Sequence, residues 1–158
     1  MMTKKYSLKN IAEIAGDDQD FILLVVKTFL EEIPPDLSAM IDAVENNNRD
    51  LAYQFAHKMK PNFEMFGLNI SKSVTAIESW TKSSKNISTI QNHLDKVVAK
   101  NEIVIKELKE DFNINKKYTL DLGDDIHHRI YDNFLLNIPN SIDNNIDENE
   151  LGYLSEEY

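Results

Sequence analysis

Apolar residues recur every three or four positions along almost all of residues 7–112. This spacing is typical of one face of an α-helix, whereas a half-buried strand would alternate apolar and polar residues. The pattern predicts an all-α fold with helices over residues 7–15, 17–33, 34–45, 49–66, 71–82 and 87–111. Long amphipathic helices joined by short loops favour an antiparallel four-helix bundle, here with a short additional N-terminal helix and an acidic C-terminal extension.

Residues that start or stop helices set these bounds. Gly16 ends the first helix, and Asp17, followed three residues later by Asp20, caps the second. The second helix is predicted to end before Pro34-Pro35, because a residue that precedes proline disfavours the α conformation. The residues predicted for its buried face are Phe21, Leu24, Val25, Thr28 and Phe29. On the helix over 71–82, Trp80 is predicted at the edge of the core.

A change in composition near Phe112 predicts a domain boundary. Residues 1–112 hold 14 basic and 17 acidic residues, whereas residues 113–158 hold 3 basic and 10 acidic ones. The first part is interpreted as the helical domain and the second as an acidic tail. Two interpretations of the tail stay open: a disordered segment, or one short helix over 124–137 that docks on the bundle.

The composition argues against several function classes. A net charge of -10 opposes binding to nucleic acid or to an anionic membrane surface. Without any cysteine the chain has no disulfides, no thiol chemistry and no cysteine zinc site. Its four scattered glycines cannot form a phosphate-binding loop, and its longest apolar run, residues 21–26, is too short for a membrane span. No secretory signal follows Met1.

The chemistry candidate is His57 on the fourth predicted helix. At 100° per residue, it lies opposite the buried stripe of that helix. The stripe consists of Ala52, Phe55, Ala56, Met59, Phe63 and Phe66. His57 is therefore expected to face solvent beside Lys58 and Lys60. An exposed histidine by itself is usually only a solvated residue.

The residues that follow this histidine carry a family resemblance. Residues 56–67 read AHKMKPNFEMFG, with an apolar Met59, a basic Lys60 and a closing Gly67 two, three and ten positions after His57. This string resembles the signature of histidine-containing phosphotransfer (HPt) domains, the phosphocarriers of bacterial two-component phosphorelays. The resemblance covers roughly residues 7–112, although its specific motif covers only 56–67.

The resemblance implies a function and a set of site residues. His57 would accept a phosphoryl group from the aspartate of a receiver domain in a hybrid histidine kinase and pass it to a response regulator. Lys60, Lys58 and Gln54 would contact the phosphate or the partner, Tyr53 and Pro61 would belong to the docking surface, and Gly67 would end the helix. The chain would need no cofactor of its own, because the receiver supplies Mg²⁺. It would be a cytoplasmic monomer and not an enzyme, since it has no ATP site.

Pro61 departs from the family pattern, which usually has glycine four residues after the histidine. Proline lacks the N–H that would bind the His57 carbonyl and is expected to bend the helix modestly. It also favours a rival interpretation, a module that docks a receiver or kinase without carrying phosphate. A second rival is a helical scaffold that acts through its acidic tail. No metal site is expected, because Asp124 and His127 supply only two ligands.

Overall fold

The computed structural model of the protein describes residues 4–115 and the backbone of residues 152, 153, 155 and 156. Residues 4–115 are all-helical, as predicted. The helices are α1 (Lys9–Ala15), α2 (Gln19–Glu45), α3 (Arg49–Met65), α4 (Ser71–Thr81), a 3₁₀ helix (Ile87–Ile90) and α5 (Gln91–Asp111). Near the C-terminus, two short strands, β1 (Gly152–Tyr153) and β2 (Ser155–Glu156), pair in parallel. The helix predicted over 124–137 lies outside the described residues.

The predicted break at Pro34 is wrong, because α2 runs without interruption through both prolines. Two backbone carbonyls lose their hydrogen-bond donor there. Burial along the same face compensates for this loss, since Ile33, Pro34 and Leu37 are all buried. The buried positions of α2 continue at helical spacing across the prolines, and they are Ile22, Val26, Phe29, Leu30, Ile33, Leu37, Met40, Ile41 and Val44.

The predicted buried face of α2 is also wrong over its first two turns. Leu24 is 60% exposed and Phe21 is 40% exposed, whereas Ile22 and Val26 are buried. Two apolar stripes side by side satisfy the same helical spacing, and the packing of α2 against the other helices buries one of them. The side-chain cap is Asp18 and not Asp17, since its Oδ1 accepts a hydrogen bond from the Phe21 N–H at 3.0 Å.

The core lies between neighbouring helices. α2 packs on α3, α3 on α4 and α4 on α5, while α1 packs on α2 and α5 also reaches α2. The Phe29 and Phe66 rings meet at 4.4 Å between centroids. Trp80, predicted at the edge, is buried instead. Among the described residues, no helix is both long and apolar enough to cross a lipid bilayer.

Arg49 ties the start of α3 to the end of α4. Its guanidinium donates to the carbonyls of Trp80 at 3.0 Å, Ser83 at 2.8 Å and Lys85 at 2.8 Å. The guanidinium carbon also lies 4.0 Å from the centroid of the Trp80 ring. One side chain therefore links the start of α3 to the last turn of α4 and to the loop that follows it.

The N-terminal segment ties the ends of α3 and α5 together. The Lys5 N–H donates to Glu107 Oε1 at 2.8 Å, and the Tyr6 hydroxyl donates to Asp111 Oδ2 at 2.5 Å. The Tyr6 hydrogen bond lowers the pKa of the Asp111 carboxyl, while burial raises the pKa of Glu107.

The turn that ends α5 extends to Ile114, whose N–H donates to the Lys109 carbonyl at 2.8 Å. Packing thus continues two residues beyond the boundary predicted at Phe112.

Candidate functional site

The site is built on the exposed face of α3. Asn48 starts this helix, because its side chain accepts a hydrogen bond from the Leu51 N–H at 3.3 Å. The inner face of α3 buries Ala52, Ala56, Met59 and Phe63. The opposite face carries His57, whose side chain is 66% exposed.

A carboxylate of α4 holds the His57 ring. His57 Nδ1 lies 2.9 Å from Glu78 Oε2, and the Glu78 side chain is only 12% exposed. An ionised carboxylate can only accept hydrogen bonds, so the proton of the neutral ring lies on Nδ1. In this tautomer Nε2 keeps its lone pair.

The same carboxylate binds the predicted phosphate-contacting lysine. Lys60 Nζ lies 3.2 Å from Glu78 Oε1, and its side chain is 27% exposed. Glu78 thus joins the imidazole and the ammonium group through its two oxygens. Lys60 adds positive charge beside the ring, but that charge is paired in this state.

The other predicted contact residues take different positions around the ring. Lys58 turns toward α2, where its Nζ lies 3.0 Å from Asp36 Oδ2. Gln54 and Pro61 are exposed on α3, and the helix continues through Pro61. The hydrogen-bond partner of His57 Nδ1 is Glu78. Tyr53 stacks on the imidazole, with 5.4 Å between ring centroids and 16° between planes.

Gly67 ends α3 as predicted, and its geometry shows why glycine is needed. Its φ is +63°, and its N–H donates to the Glu64 carbonyl at 3.1 Å while that of Leu68 donates to the Phe63 carbonyl at 3.0 Å. This is the Schellman pattern of a helix C-terminus. A Cβ at Gly67 would lie 3.1 Å from the Ser7 Cβ, so the N-terminal segment also needs this position to be small.

We expect Gly67→Ala to destabilise the protein by about 2 kcal/mol, because a left-handed conformation costs about 1–2 kcal/mol for an L-residue and the Ser7 contact adds to it. Chemical denaturation measures the loss. Gly67→Asn is the matched control: it introduces the same Cβ but tolerates positive φ better. Equal stability of Gly67→Ala and the unaltered chain would contradict this account.

Glu78 is the site residue that sequence reasoning missed. It follows Ile77, a buried position of α4, so the periodicity places it at the edge of the buried stripe. The sequence predicts a helix with a carboxylate at the edge of its buried face, but it does not indicate that this edge faces His57. Only the packing of α4 on α3 establishes that contact.

Within residues 4–115, no three potential ligands among His, Asp and Glu side chains converge as a metal ion would require. The pair considered from the sequence, Asp124 and His127, lies outside the described residues. A scan against protein-family models and searches of the curated proteins and of the solved structures found no match for this chain.

Proposed function

We propose that this protein is a phosphocarrier of the HPt kind, which accepts a phosphoryl group on His57 and passes it on. The observation that carries the proposal is the pairing of His57 Nδ1 with Glu78 at 2.9 Å while 66% of the histidine side chain stays exposed. An exposed imidazole with a fixed tautomer offers one nitrogen as a nucleophile. A histidine with a purely structural role would not require this exposure.

The proposed arrangement of the helices is an antiparallel four-helix bundle of α2 to α5, with α1 as the additional short helix. Two contacts support this. Arg49, at the start of α3, meets the carbonyls at the end of α4. Lys58, past the middle of α3, meets Asp36 in the second half of α2, and both elements are joined by a turn of three residues.

The proposed chemical step moves a phosphoryl group between two side chains. The Nε2 lone pair attacks phosphorus, the P–O bond to the receiver aspartate breaks, and the aspartate leaves as a carboxylate. The proton on Nδ1 stays in the hydrogen bond to Glu78, which offsets the positive charge that the ring gains. Onward transfer reverses these roles: a second receiver's aspartate attacks phosphorus and the N–P bond breaks.

The partners in this proposal are receiver domains of a hybrid histidine kinase and of a response regulator. The receivers supply Mg²⁺ and the acidic pocket, so the chain contributes an aligned nucleophile and nearby positive charge. Lys60 lies one turn after His57 and pairs with the same carboxylate, Glu78. The proposed setting is the bacterial cytoplasm, with the chain as a monomer that has no catalytic activity alone.

The experiment that tests the proposal uses the full chain and purified receiver domains from the same genome. Each receiver is phosphorylated on its aspartate in the presence of Mg²⁺ and mixed with the chain. We expect at least one receiver to transfer a phosphoryl label that is labile to acid and stable to base. If every receiver fails to label the chain, the docking-module alternative takes its place. Exposed Pro61 and the pairing of Lys60 with Glu78 favour that alternative.

We expect Glu78→Ala to slow phosphotransfer about tenfold or more, since misplacing a reacting group by 1 Å can cost about 100-fold. Removal of the carboxylate leaves the imidazole free to adopt both tautomers, which the nitrogen chemical shifts of His57 report. Glu78→Gln should keep more activity, because its amide oxygen can still accept from Nδ1–H. Thr75→Ala, an exposed change one turn away on α4, is the matched control. Unchanged rates and tautomer in Glu78→Ala would show that Glu78 does not orient the ring.

A further inference from the structure

The Tyr53 ring contacts the face of the His57 ring, whereas Glu78 contacts its Nδ1 atom. Tyr53 lies one helical turn before His57 on α3, and the two rings stack with 5.4 Å between centroids and 16° between planes. Tyr53 is half-buried, whereas the His57 side chain is largely exposed. The less exposed ring therefore supports the more exposed one.

Tyr53 is in turn held by Lys82. The Lys82 ammonium lies 4.1 Å from the centroid of the Tyr53 ring, within the range of a cation–π contact. Lys82 follows the last residue of α4 and comes one turn after Glu78, just as Tyr53 comes one turn before His57 on α3. Two neighbouring side-chain pairs thus connect α3 and α4: His57 with Glu78, and Tyr53 with Lys82.

Each of these side-chain pairs restricts a different motion of the imidazole. The hydrogen bond at Nδ1 fixes one atom of the ring but permits the ring to swing about that contact. Stacking on Tyr53 fixes the plane of the ring. With both contacts in place, the Nε2 lone pair keeps one direction, which transfer through an in-line geometry requires.

We propose that Tyr53 is a positioning residue for phosphotransfer, which holds the His57 ring plane and is itself braced by Lys82. This inference rests on the proposed function, and it replaces the docking-surface role predicted for Tyr53 from the sequence. A docking residue acts on the affinity for the receiver. A positioning residue acts on the rate of transfer once the receiver is bound.

The test is single-turnover transfer from a phosphorylated receiver to the full chain, measured over a range of receiver concentrations. In Tyr53→Leu we expect the maximal rate to fall about fivefold, because the ring plane is no longer fixed. The half-saturating receiver concentration should stay within about twofold, since affinity for the receiver is not what Tyr53 controls. Tyr53→Phe keeps the stacking ring and should behave like the unaltered chain. Asn92→Leu, an exposed change on α5 outside the site, is the matched control.

Three results would overturn the positioning role. One is a higher half-saturating concentration in Tyr53→Leu with an unchanged maximal rate, which makes Tyr53 a docking residue. The second is a Tyr53→Leu variant with the same maximal rate and the same half-saturating receiver concentration as the unaltered chain. The third is a Tyr53→Phe variant as slow as Tyr53→Leu, because the ring would then not be what matters.

A failure of the proposed function is visible separately, as an unaltered chain that no receiver labels. In that event NMR of the His57 side chain decides the positioning role. We expect a single rotamer in the unaltered chain and in Tyr53→Phe, and averaging among rotamers in Tyr53→Leu. The same single rotamer in all three would overturn the inference.

Discussion

Replacement of His57 by glutamine is expected to abolish phosphoryl labelling of the chain by receiver domains, because it removes the proposed nucleophile, the Nε2 atom of the imidazole. The melting temperature should stay within a few degrees of the unaltered chain, since surface substitutions usually change stability by about 0.5 kcal/mol or less. The loss of the Glu78 contact is offset in part by the glutamine side chain, which can also donate a hydrogen bond. Labelling with a radioactive phosphoryl donor and circular dichroism on the same sample separate the two effects.

The other three histidines provide the controls for this prediction. His93 is half-buried on α5, where its Nδ1 lies 3.0 Å from Ser73 Oγ, and burial lowers its pKa. His127 and His128 lie outside the described residues. Substitution of each by glutamine should leave labelling intact. A His57→Gln chain that still accepts a phosphoryl group would contradict the assignment of the nucleophile.

Replacement of Arg49 by methionine is expected to reduce the free energy of unfolding by about 3 kcal/mol. Hydrogen bonds from charged groups contribute about 1.5–3 kcal/mol, and a cation–π contact adds about 1 kcal/mol. The methionine keeps an apolar stem of similar length but leaves the carbonyls of Trp80, Ser83 and Lys85 without the guanidinium. For a protein of this size, 3 kcal/mol corresponds to a melting temperature lower by roughly 10 °C.

Two further variants separate geometry from charge in that result. Arg49→Lys keeps the positive charge but cannot reach three carbonyls with one ammonium group, so it should recover only part of the loss. Lys72→Met removes an exposed basic residue of α4 and should change stability by less than about 0.5 kcal/mol. A loss below about 1 kcal/mol in Arg49→Met would show that water replaces the guanidinium at these carbonyls.

Two of the errors on α2 have different physical origins. The helix break at Pro34 was inferred from a local preference, yet buried positions continue at steps of three and four on both sides of the prolines. The sequence thus contained the signal for one long helix, and tertiary burial outweighs the local cost. The choice between the stripe with Phe21 and Leu24 and the stripe with Ile22 and Val26 was not available from α2 alone. Both stripes are apolar, and only the packing of α2 against the other helices distinguishes them.

Much of the remaining architecture followed from local chemistry. Helical periodicity predicted α3 to α5 to within a few residues at each end, because burial of one face and the end signals at Asn48 and Gly67 act over a single turn. The backbone conformation at position 67 requires glycine, and a sequence can indicate such a position. Burial of Trp80 was missed, because its surroundings include Arg49, 31 residues away.

The sequence by itself determined that residues 7–112 form a helical fold and that His57 lies opposite the buried face of α3, because both follow from the spacing of apolar residues within one helix. The tertiary structure decided which groups meet that histidine. Glu78 comes from α4 and Lys82 from the position that follows it, and Asp36, the partner of Lys58, comes from α2. Periodicity gives the buried face of each helix but not the rotation and register of one helix against another. Those depend on how side chains of different helices interdigitate, and they bring Glu78 within hydrogen-bond distance of the His57 ring.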